Sequence, residues 1–369
     1  MTVIITLFAI ALGIYVVMGL LFAMGLFLPA RQKNGAQLFV SVVIAARNEE
    51  RSLPDCLYSV LNQTYPENLF EVIVVDDRSE DRTASMVQQF AEKHSNVRLI
   101  QIKEKAEKIS GKKNALEQGI KVSRGDILLF TDADCTVQNT WIEGMVRYFT
   151  NDVGLVIGAS FTKSAAWFER LQSFDFAAMK AAACGITNLG LPFAASGQNL
   201  AYRKAAFDEV GGFEKIRHRI SGDDVLMMQL IRKLTKWKIV FSDDVGTFNS
   251  TRPEPTLRAF IHQRSRWASN TEMMLTMSPI FFIYLVSVYA FNVGLAGGLI
   301  AGIWNQLILS IAVFGWINKL IVDFLVTFLG FKKFSKPFSF SIFLTWFFLQ
   351  TPYVLWVGLR GGLGLFKWK

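Results

Sequence analysis

Two kinds of hydrophobic pattern alternate along the 369 residues. At the two ends the apolar positions are continuous rather than periodic. Residues 2–30 carry no charged side chain, a longer run than the roughly 20 residues needed to cross a ~30 Å hydrocarbon core. A second uncharged stretch runs from Met273 to Asn318, and the apolar positions predict spans near 279–302, 306–330 and 338–359. Between these ends, short apolar runs alternate with periodic ones. FVSVVIAARNEE (39–50) predicts a strand breaking into a polar turn, and ERSLPDCLYSVLNQ has helical periodicity. EVIVVDDRSEDRT continues strand, turn and helix start; VRLIQI (97–102) is a short strand, KKNALEQGIKVSRG a helix and DILLFTDADC a strand ending in carboxylates. Such alternation predicts an α/β domain with a doubly wound, mostly parallel sheet joined to transmembrane helices.

The expected organisation is an amino-terminal anchor at 1–30, a catalytic-sized domain at 31–272 and a membrane region of about three helices at 273–369. The first run lacks a preceding basic region and exceeds a signal core, which favours an uncleaved anchor. Arg31 and Lys33 follow it, and Lys332, Lys333 and Lys336 separate the last two spans. The positive-inside rule then puts the large domain in the cytoplasm and the amino terminus outside. That topology exports Arg360, Lys367 and Lys369 against the rule; a re-entrant or tilted last span would remove the conflict. The setting expected is an integral protein of a bacterial-type inner membrane.

Hydrophobic residues make up 51% of the chain and the formal net charge is +9, which suits anionic headgroups or phosphorylated ligands. No stripe of basic and aromatic residues supports nucleic-acid binding. Cys56, Cys135 and Cys184 are scattered, without metal spacing, as in a reducing compartment.

Ligands of open α/β sheets bind beyond the carboxyl ends of the strands. Here those ends carry Asn48 and Glu49, Asp76 and Asp77, and Asp132 and Asp134. A lone Asp after a strand is commonly a cap or turn former, as expected for Ser79 and Asp81. Three acidic strand ends favour a shared ligand site. The two carboxylates of TDADC, one residue apart, suit a divalent cation, since Mg²⁺ takes one or two carboxylates plus substrate phosphates. No GxGxxG turn and no GxxxxGK[ST] loop is present, which disfavours dinucleotide oxidoreductases and P-loop enzymes.

In order, VVIAARNEE, VVDDRSEDRT, GKKNAL, LLFTDADC, SGQNLAYRKAAFDEVGGF, SGDDVLMMQLIRK and QRSRW occupy about 40–267. This set resembles family 2 glycosyltransferases with a GT-A fold. It is similar above all to their membrane-bound branch, the ceramide glucosyltransferase-like enzymes and polysaccharide synthases, in which QxxRW precedes membrane helices. The terminal FKWK also resembles their tails, without the usual following Gly-Arg. The resemblance implies that Glu49, Asp76 and Asp77 hold the base and ribose of a nucleoside diphosphate sugar, favouring a UDP-sugar. Lys112 would approach the nucleotide, with Lys113 read as its solvated neighbour. Asp132 and Asp134 would organise nucleotide and metal, Mg²⁺ or Mn²⁺, with Asp134 the direct ligand. In SGDD, Asp224 aligns with the family's general base and Asp223 stands beside it, although Asp at a helix start is also a common cap. Gln263, Arg266 and Trp267 would line the acceptor site, a guanidinium fork suiting a diphosphate and an indole suiting a sugar face or headgroup.

These roles imply an inverting, metal-dependent transfer of one sugar to a lipid or glycan acceptor at the membrane. A processive polysaccharide synthase is the alternative, and about four spans offer little material for its channel. An inactive scaffold or sugar-nucleotide sensor is a further reading, weakened by the intact acidic positions. Lys319 and Asp323, four apart in the third span, are expected to neutralise each other.

Overall fold

The computed structural model describes residues 1–29, 35, 37–107 and 109–365. Arg31, Lys33, Lys367, Lys369 and the terminal FKWK lie outside the described residues. The chain divides into two compact units. One comprises Pro29–Lys163 with Gly190–Arg252, and the other Met1–Leu28, Ser164–Leu189 and Pro253–Lys369. Thus 164–189 and 253–272, expected within a contiguous domain 31–272, pack with the apolar helices.

The chain opens with α1 (Thr2–Phe27), in the helical unit. The sheet unit then runs β1 (Val40–Ala46), α2 (Leu53–Leu61), β2 (Phe70–Asp77), α3 (Thr83–Lys93), β3 (Val97–Ile102), α4 (Gly111–Val122), β4 (Ile127–Phe130), α5 (Trp141–Val146), β5 (Val153–Ile157) and β6 (Ser160–Thr162). After α6 (Trp167–Asn188), which belongs to the other unit, it resumes with β7 (Leu200–Arg203), α7 (Lys204–Glu209), α8 (Val225–Leu234), β8 (Lys238–Phe241) and β9 (Asn249–Thr251). Among the described residues the main sheet has seven strands in the order β3-β2-β1-β4-β7-β5-β8, and β6 pairs with β9. All neighbours in the main sheet are parallel except β7, which runs antiparallel to β4 and β5. The mostly parallel sheet expected from the alternation is therefore present, as the resemblance to a GT-A fold also implied.

Its core follows from period-two alternation. Val42, Ile44, Val72 and Val74 enter one apolar cluster with Leu53, Leu57 and Trp141. On the opposite face, Ile73 and Val75 meet Ala115 of α4. Gly119 permits the close packing of α4 here, since a Cβ there would lie 2.5 Å from Val43 Cγ1. The β1, β2 and β4 register aligns Val42 with Val72 and Leu129, so the three carboxyl ends finish along one edge.

The helical unit contains α6, α9 (Leu257–Ala268), α10 (Thr271–Met277), α11 (Pro279–Gly302), α12 (Gln306–Lys333) and α13 (Phe340–Gly362) besides α1. Among the described residues, α1, α11, α12 and α13 are the four helices long and apolar enough to cross a membrane. The 23-residue α13 continues through Pro352 without a break. Glycines let α1 and α6 touch backbone to backbone: a Cβ on Gly25 would sit 1.8 Å from the Gly185 carbonyl oxygen. Lys319 is fully buried, with its Nζ 2.5 Å from Asp323 Oδ2. Tyr15 donates to the other Asp323 oxygen and Lys319 also donates to Gln350 Oε1, so the expected self-neutralising pair ties α1 and α13 to α12.

Lys113 differs from its expected solvated state. With Leu116 and Ile120 it occupies the buried stripe of α4, and it is completely shielded from solvent. A lysine there must find acceptors, and its Nζ donates to the carbonyls of Arg219 and Ser221 at 2.5 and 2.9 Å. Burial pushes the ammonium down to about 8, against the opposing attraction of Asp223 and Asp224. The side chain thereby anchors the loop leading into SGDD. Lys113→Met keeps the length and removes the donor, leaving two carbonyls to find new partners. It is expected to lower stability by about 2 kcal/mol and to speed proteolysis around 217–222, both read on the purified full chain; unchanged melting and cleavage would show that the anchor is dispensable.

Candidate active site

The strand ends are shaped by unusual backbone. Asn48 after β1 and Arg78 after β2 have φ of 56° and 59°. This left-handed region is readily tolerated by Asn and uncommon for Arg. At both positions side-chain contacts hold the turn. Asn48 Oδ1 accepts from the Glu80 amide at 2.8 Å, while the Asn48 amide donates to Ser79 Oγ at 2.9 Å. Arg78 grips Asp77 with Nε–Oδ1 at 2.8 Å and Nη2–Oδ2 at 3.2 Å. Asp77 and Asp76 are both buried, and Asp76 Oδ1 accepts from the Ser79 amide at 3.3 Å. Asp81 accepts from the amides of Thr83 and Glu50, the turn-forming role expected of it. Beside these ends lies an open crevice of about 500 Å³ lined by Arg47, Asp76, Arg78, Ser79, Gln101 and Lys103 among others. Gly111 opens α4 against this edge, because a Cβ there would come within 2.3 Å of Asp77 Oδ2.

Lys112 stands at the centre of the second cluster. Its Nζ is 2.6 Å from Asp132 Oδ1 and 3.4 Å from Asp223 Oδ2, bridging residues 91 positions apart in the chain. Burial opposes its charge, but Asp132, Asp223 and Asp224 outweigh that cost and hold the ammonium above its ordinary range. A small cavity beside it is lined by Ala45, Phe130, Thr131, Asp132, Gly197 and Asp223, among others. Asp223 is buried; the attraction of Lys112 and Lys113 exceeds the desolvation cost and keeps its carboxyl below the usual range. Tyr202 Oη donates to the Asp223 carbonyl at 2.8 Å.

Asp224 is both a cap and a half-buried acid. One oxygen accepts from the Val225 amide at 2.6 Å at the start of α8, and the other from Gly197 at 3.1 Å. The left-handed Gly222, with φ of 91°, turns the chain immediately before this pair. Burial and the adjacent Asp223 charge raise the Asp224 carboxyl. Asp134, with only a weak Cys135 Sγ donor at 3.7 Å among the described residues, is raised to about 6 by burial, then by the charges of Asp132 and Glu49. Glu49 thus acts electrostatically on the DAD pair as well as standing at the β1 end; its carboxylate accepts from Ser52 Oγ.

The donor set fits a hard divalent cation: oxygen ligands on Asp132 and Asp134, with surplus negative charge at Asp134. No group of three or more His, Cys, Asp or Glu residues arranged to hold a metal occurs among the described residues. The fit is therefore that of a cation completed by ligands other than protein side chains.

The motif QRSRW lies on α9, in the helical unit, and α10 intervenes before the span α11. Gln263 Nε2 donates to Glu254 Oε1 at 2.7 Å. Trp267 is half-buried and stacks on Phe176 of α6 at 6.1 Å between centroids. Arg266 is also half-buried. Arg264 and Ser265 are the buried members; Arg264 is 4% exposed, with Nη2 2.9 Å from Asp175 Oδ2. The structure brings Lys112 into electrostatic reach of Asp132, Asp134, Asp223 and Asp224, sets Glu49 against Asp134, and gathers Asp76 and Asp77 at the adjoining edge.

Several contributors lie outside the residues selected from sequence. Arg47, Arg78 and Lys103 supply the basic lining of the crevice. Asn199 is fully buried, donates to the Ala159 and Thr247 carbonyls at 2.8 and 2.7 Å, and accepts from Trp141 Nε1 at 2.9 Å. It pins the SGQN turn from which Gly197 reaches Asp224. Its place inside a recognised motif was the available signal; its partners come from distant parts of the chain.

Residues 41–211 match Glycosyl transferase family 2, and residues 127–358, more than half of the chain, match Glycosyl transferase family group 2. Glycosyltransferase AglE of Haloferax volcanii is 32% identical over 221 residues, covering 58% of this chain and 68% of that protein. The Beta-monoglucosyldiacylglycerol synthase of Trichormus variabilis is 28% identical over 249 residues, 64% of this chain and only 50% of its own length. In architecture the chain is similar to Mannosyltransferase PcManGT from Pyrobaculum calidifontis, solved in complex with GDP-Man and Mn²⁺, with a TM-score of 0.66, 19% identity and 98% coverage of both chains. With the acidic strand ends, the mostly parallel sheet and four apolar helices, these matches make the chain a membrane-associated member of glycosyltransferase family 2.

Proposed function

We propose that this chain transfers a single sugar, with inversion, from a nucleoside diphosphate sugar to a lipid or lipid-linked acceptor at the cytoplasmic face of a bacterial-type inner membrane. The observation that carries the reading is the position of Lys112 between Asp132 and Asp223. It joins the carboxylates at the end of β4, where a nucleotide would sit, to the acid pair opening α8, where an acceptor hydroxyl would be deprotonated. The crevice beside Asp76 and Arg78 would take the base and ribose, and Arg47 and Lys103 would favour the anionic donor. Glu49 and Asp77 would complete that wall.

The carboxylates outnumber the ammonium groups around Lys112, so a bare diphosphate would meet net repulsion. Asp134, assisted by Asp132, would hold a divalent cation, which when bound offsets the charge developing on the departing diphosphate. The fold itself accommodates such a pair, as GDP-Man and Mn²⁺ in the Pyrobaculum neighbour illustrate. Asp224 would accept the acceptor hydroxyl's proton, with its basicity raised by burial. Asp223, ion-paired to Lys112, would orient the pair instead of taking the proton. Gln263, Arg266 and Trp267 would receive the acceptor, Arg266 facing phosphate and Trp267 an apolar or sugar surface. The monoglucosyldiacylglycerol product named for the Trichormus relative supports a lipid acceptor.

Chelation with EDTA is expected to abolish transfer and Mg²⁺ or Mn²⁺ to restore it, in a screen of UDP- and GDP-linked sugars. Full activity of Asp134→Ala would remove the metal assignment. Asp224→Asn should lower the rate by about 10²–10⁴-fold while leaving donor affinity nearly unchanged. Because the Asp224 carboxyl is raised, the wild-type rate should fall with acidification at a pH above the ordinary carboxylate range, as the base becomes protonated. Equal loss of donor binding and rate in Asp224→Asn would assign the residue to the donor instead.

Diacylglycerol and a polyprenyl phosphate, each in phospholipid vesicles, serve as acceptor probes. One added sugar on an organic-soluble product is expected by mass spectrometry, with Trp267→Ala raising the acceptor KM and sparing the donor KM. Water-soluble oligosaccharide ladders formed without lipid would replace this reading with a polysaccharide synthase.

A further inference from the structure

We infer that Arg264, the second residue of QRSRW, is a positioning residue that sets the Trp267 ring through a buried ion pair with Asp175. The inference rests on the acceptor reading of this motif. On α9, Phe260, Arg264 and Trp267 follow one another at i, i+4 and i+7, a single helix face. The guanidinium carbon of Arg264 lies 4.3 Å from the centre of the Trp267 ring, 4.9 Å from that of Phe260 and 5.7 Å from that of Phe176. Phe176 stacks on the other partner, Trp267, with the planes 29° apart. The indole therefore contacts both a cation from its own helix and a ring from α6, and these two also contact each other.

Asp175, immediately before Phe176, fixes that cation. Its Oδ2 is 2.9 Å from Arg264 Nη2, and its Oδ1 accepts from Trp346 Nε1 of α13 at 3.0 Å. Phe260 in turn stacks on Tyr353 of α13, with centroids 5.7 Å apart. Three helices thus converge on Arg264. The arrangement is not one that stability alone would select. Both charges are desolvated, the carboxylate contact to Oδ2 lacks hydrogen-bond alignment, and Arg264 Nε has no hydrogen-bond partner among the described residues. A buried pair so incompletely satisfied is commonly matched or exceeded in stability by apolar side chains of similar volume. What apolar side chains cannot reproduce is a flat cationic face over the indole, anchored in direction by a carboxylate.

The test separates positioning from packing. Arg264→Met alone strands a buried carboxylate, so the informative variant is Arg264→Met with Asp175→Leu, compared with Arg264→Lys and Trp267→Ala. All are made in the full chain, reconstituted in vesicles with diacylglycerol or polyprenyl phosphate. The double variant is expected to melt at or above the wild-type temperature while raising the acceptor KM about tenfold or more, a misplaced contact surface, with donor KM unchanged. Arg264→Lys, which keeps the charge and loses the plane, should raise the acceptor KM less than the double variant does. An unchanged acceptor KM in the double variant, while Trp267→Ala raises it, overturns the positioning role and leaves the acceptor site standing. A double variant that melts early with acceptor and donor constants altered alike assigns the pair to packing and also overturns it. If Trp267→Ala spares the acceptor KM, or neither lipid is glycosylated by the wild-type chain, the acceptor reading falls and this inference with it.

Discussion

The sheet unit depends on one ammonium group placed among acids. Asp132 ends a strand and Asp223 precedes a helix, and neither segment has a local reason to approach the other. Lys112, at the first turn of α4, supplies that reason with contacts of 2.6 and 3.4 Å. Each neighbouring feature then has a physical purpose. Gly111 removes the Cβ that would collide with Asp77, so α4 can begin close enough to β2 for Lys112 to reach across. Lys113, one residue on, holds the carbonyls of Arg219 and Ser221 and delivers the loop that carries Asp223. Adjacent lysines on one helix thus perform unlike tasks because successive helical positions point about 100° apart.

The strand and helix runs of the first half were legible because their periodicity is strong. β3 occupies Val97–Ile102 as the pattern predicts, and the acidic strand ends follow directly from the register of β1, β2 and β4. The apolar spans were legible for the same reason. What escaped was every contact whose meaning depends on a partner remote in sequence. A lysine beside another lysine reads as solvated, yet Lys113 is sealed inside α4's buried stripe. An arginine beside the recognised pattern of Gln263, Arg266 and Trp267 carries no signal of its own, yet Arg264 is buried and ion-paired to Asp175. Asp77 reads as a ligand, and the geometry gives it a standing partner in Arg78.

The helix α6 shows why composition misleads about organisation. Its buried positions include Gln172, Asp175 and Lys180 beside Phe174, Phe176 and Ala181, so it lacks the continuous apolarity of a span and sits between two strand-rich segments of sequence. Nevertheless it packs against α1, α12 and α13 within the helical unit. Backbone contact through Gly25 and Gly185, and ring contacts from Phe174 to Phe331 and Trp346, explain that preference. The polar residues remain tolerable because they are answered locally: Gln172 exchanges two hydrogen bonds with the backbone of Glu254, and Asp175 meets Arg264.

The two units treat buried charge in opposite ways, and the contrast bears on where chemistry can occur. Lys319 and Asp323 satisfy each other and recruit Tyr15 and Gln350, leaving a closed set that binds helices together. A closed set has no remaining demand for a ligand. Asp134 and Asp224, by contrast, have no cation within ion-pair distance among the described residues, and burial raises both carboxyls. Their charge is held in place by backbone amides, a weak thiol donor and the strand framework, without being cancelled. Desolvated negative charge that the fold keeps but does not neutralise favours whatever brings a positive centre or a transferable proton to it. In the function proposed above, that would be a divalent cation at Asp134 and the proton of an attacking hydroxyl at Asp224. On the proposed reading the same uncancelled charge would select a metal at one end of the Lys112 bridge and a base at the other.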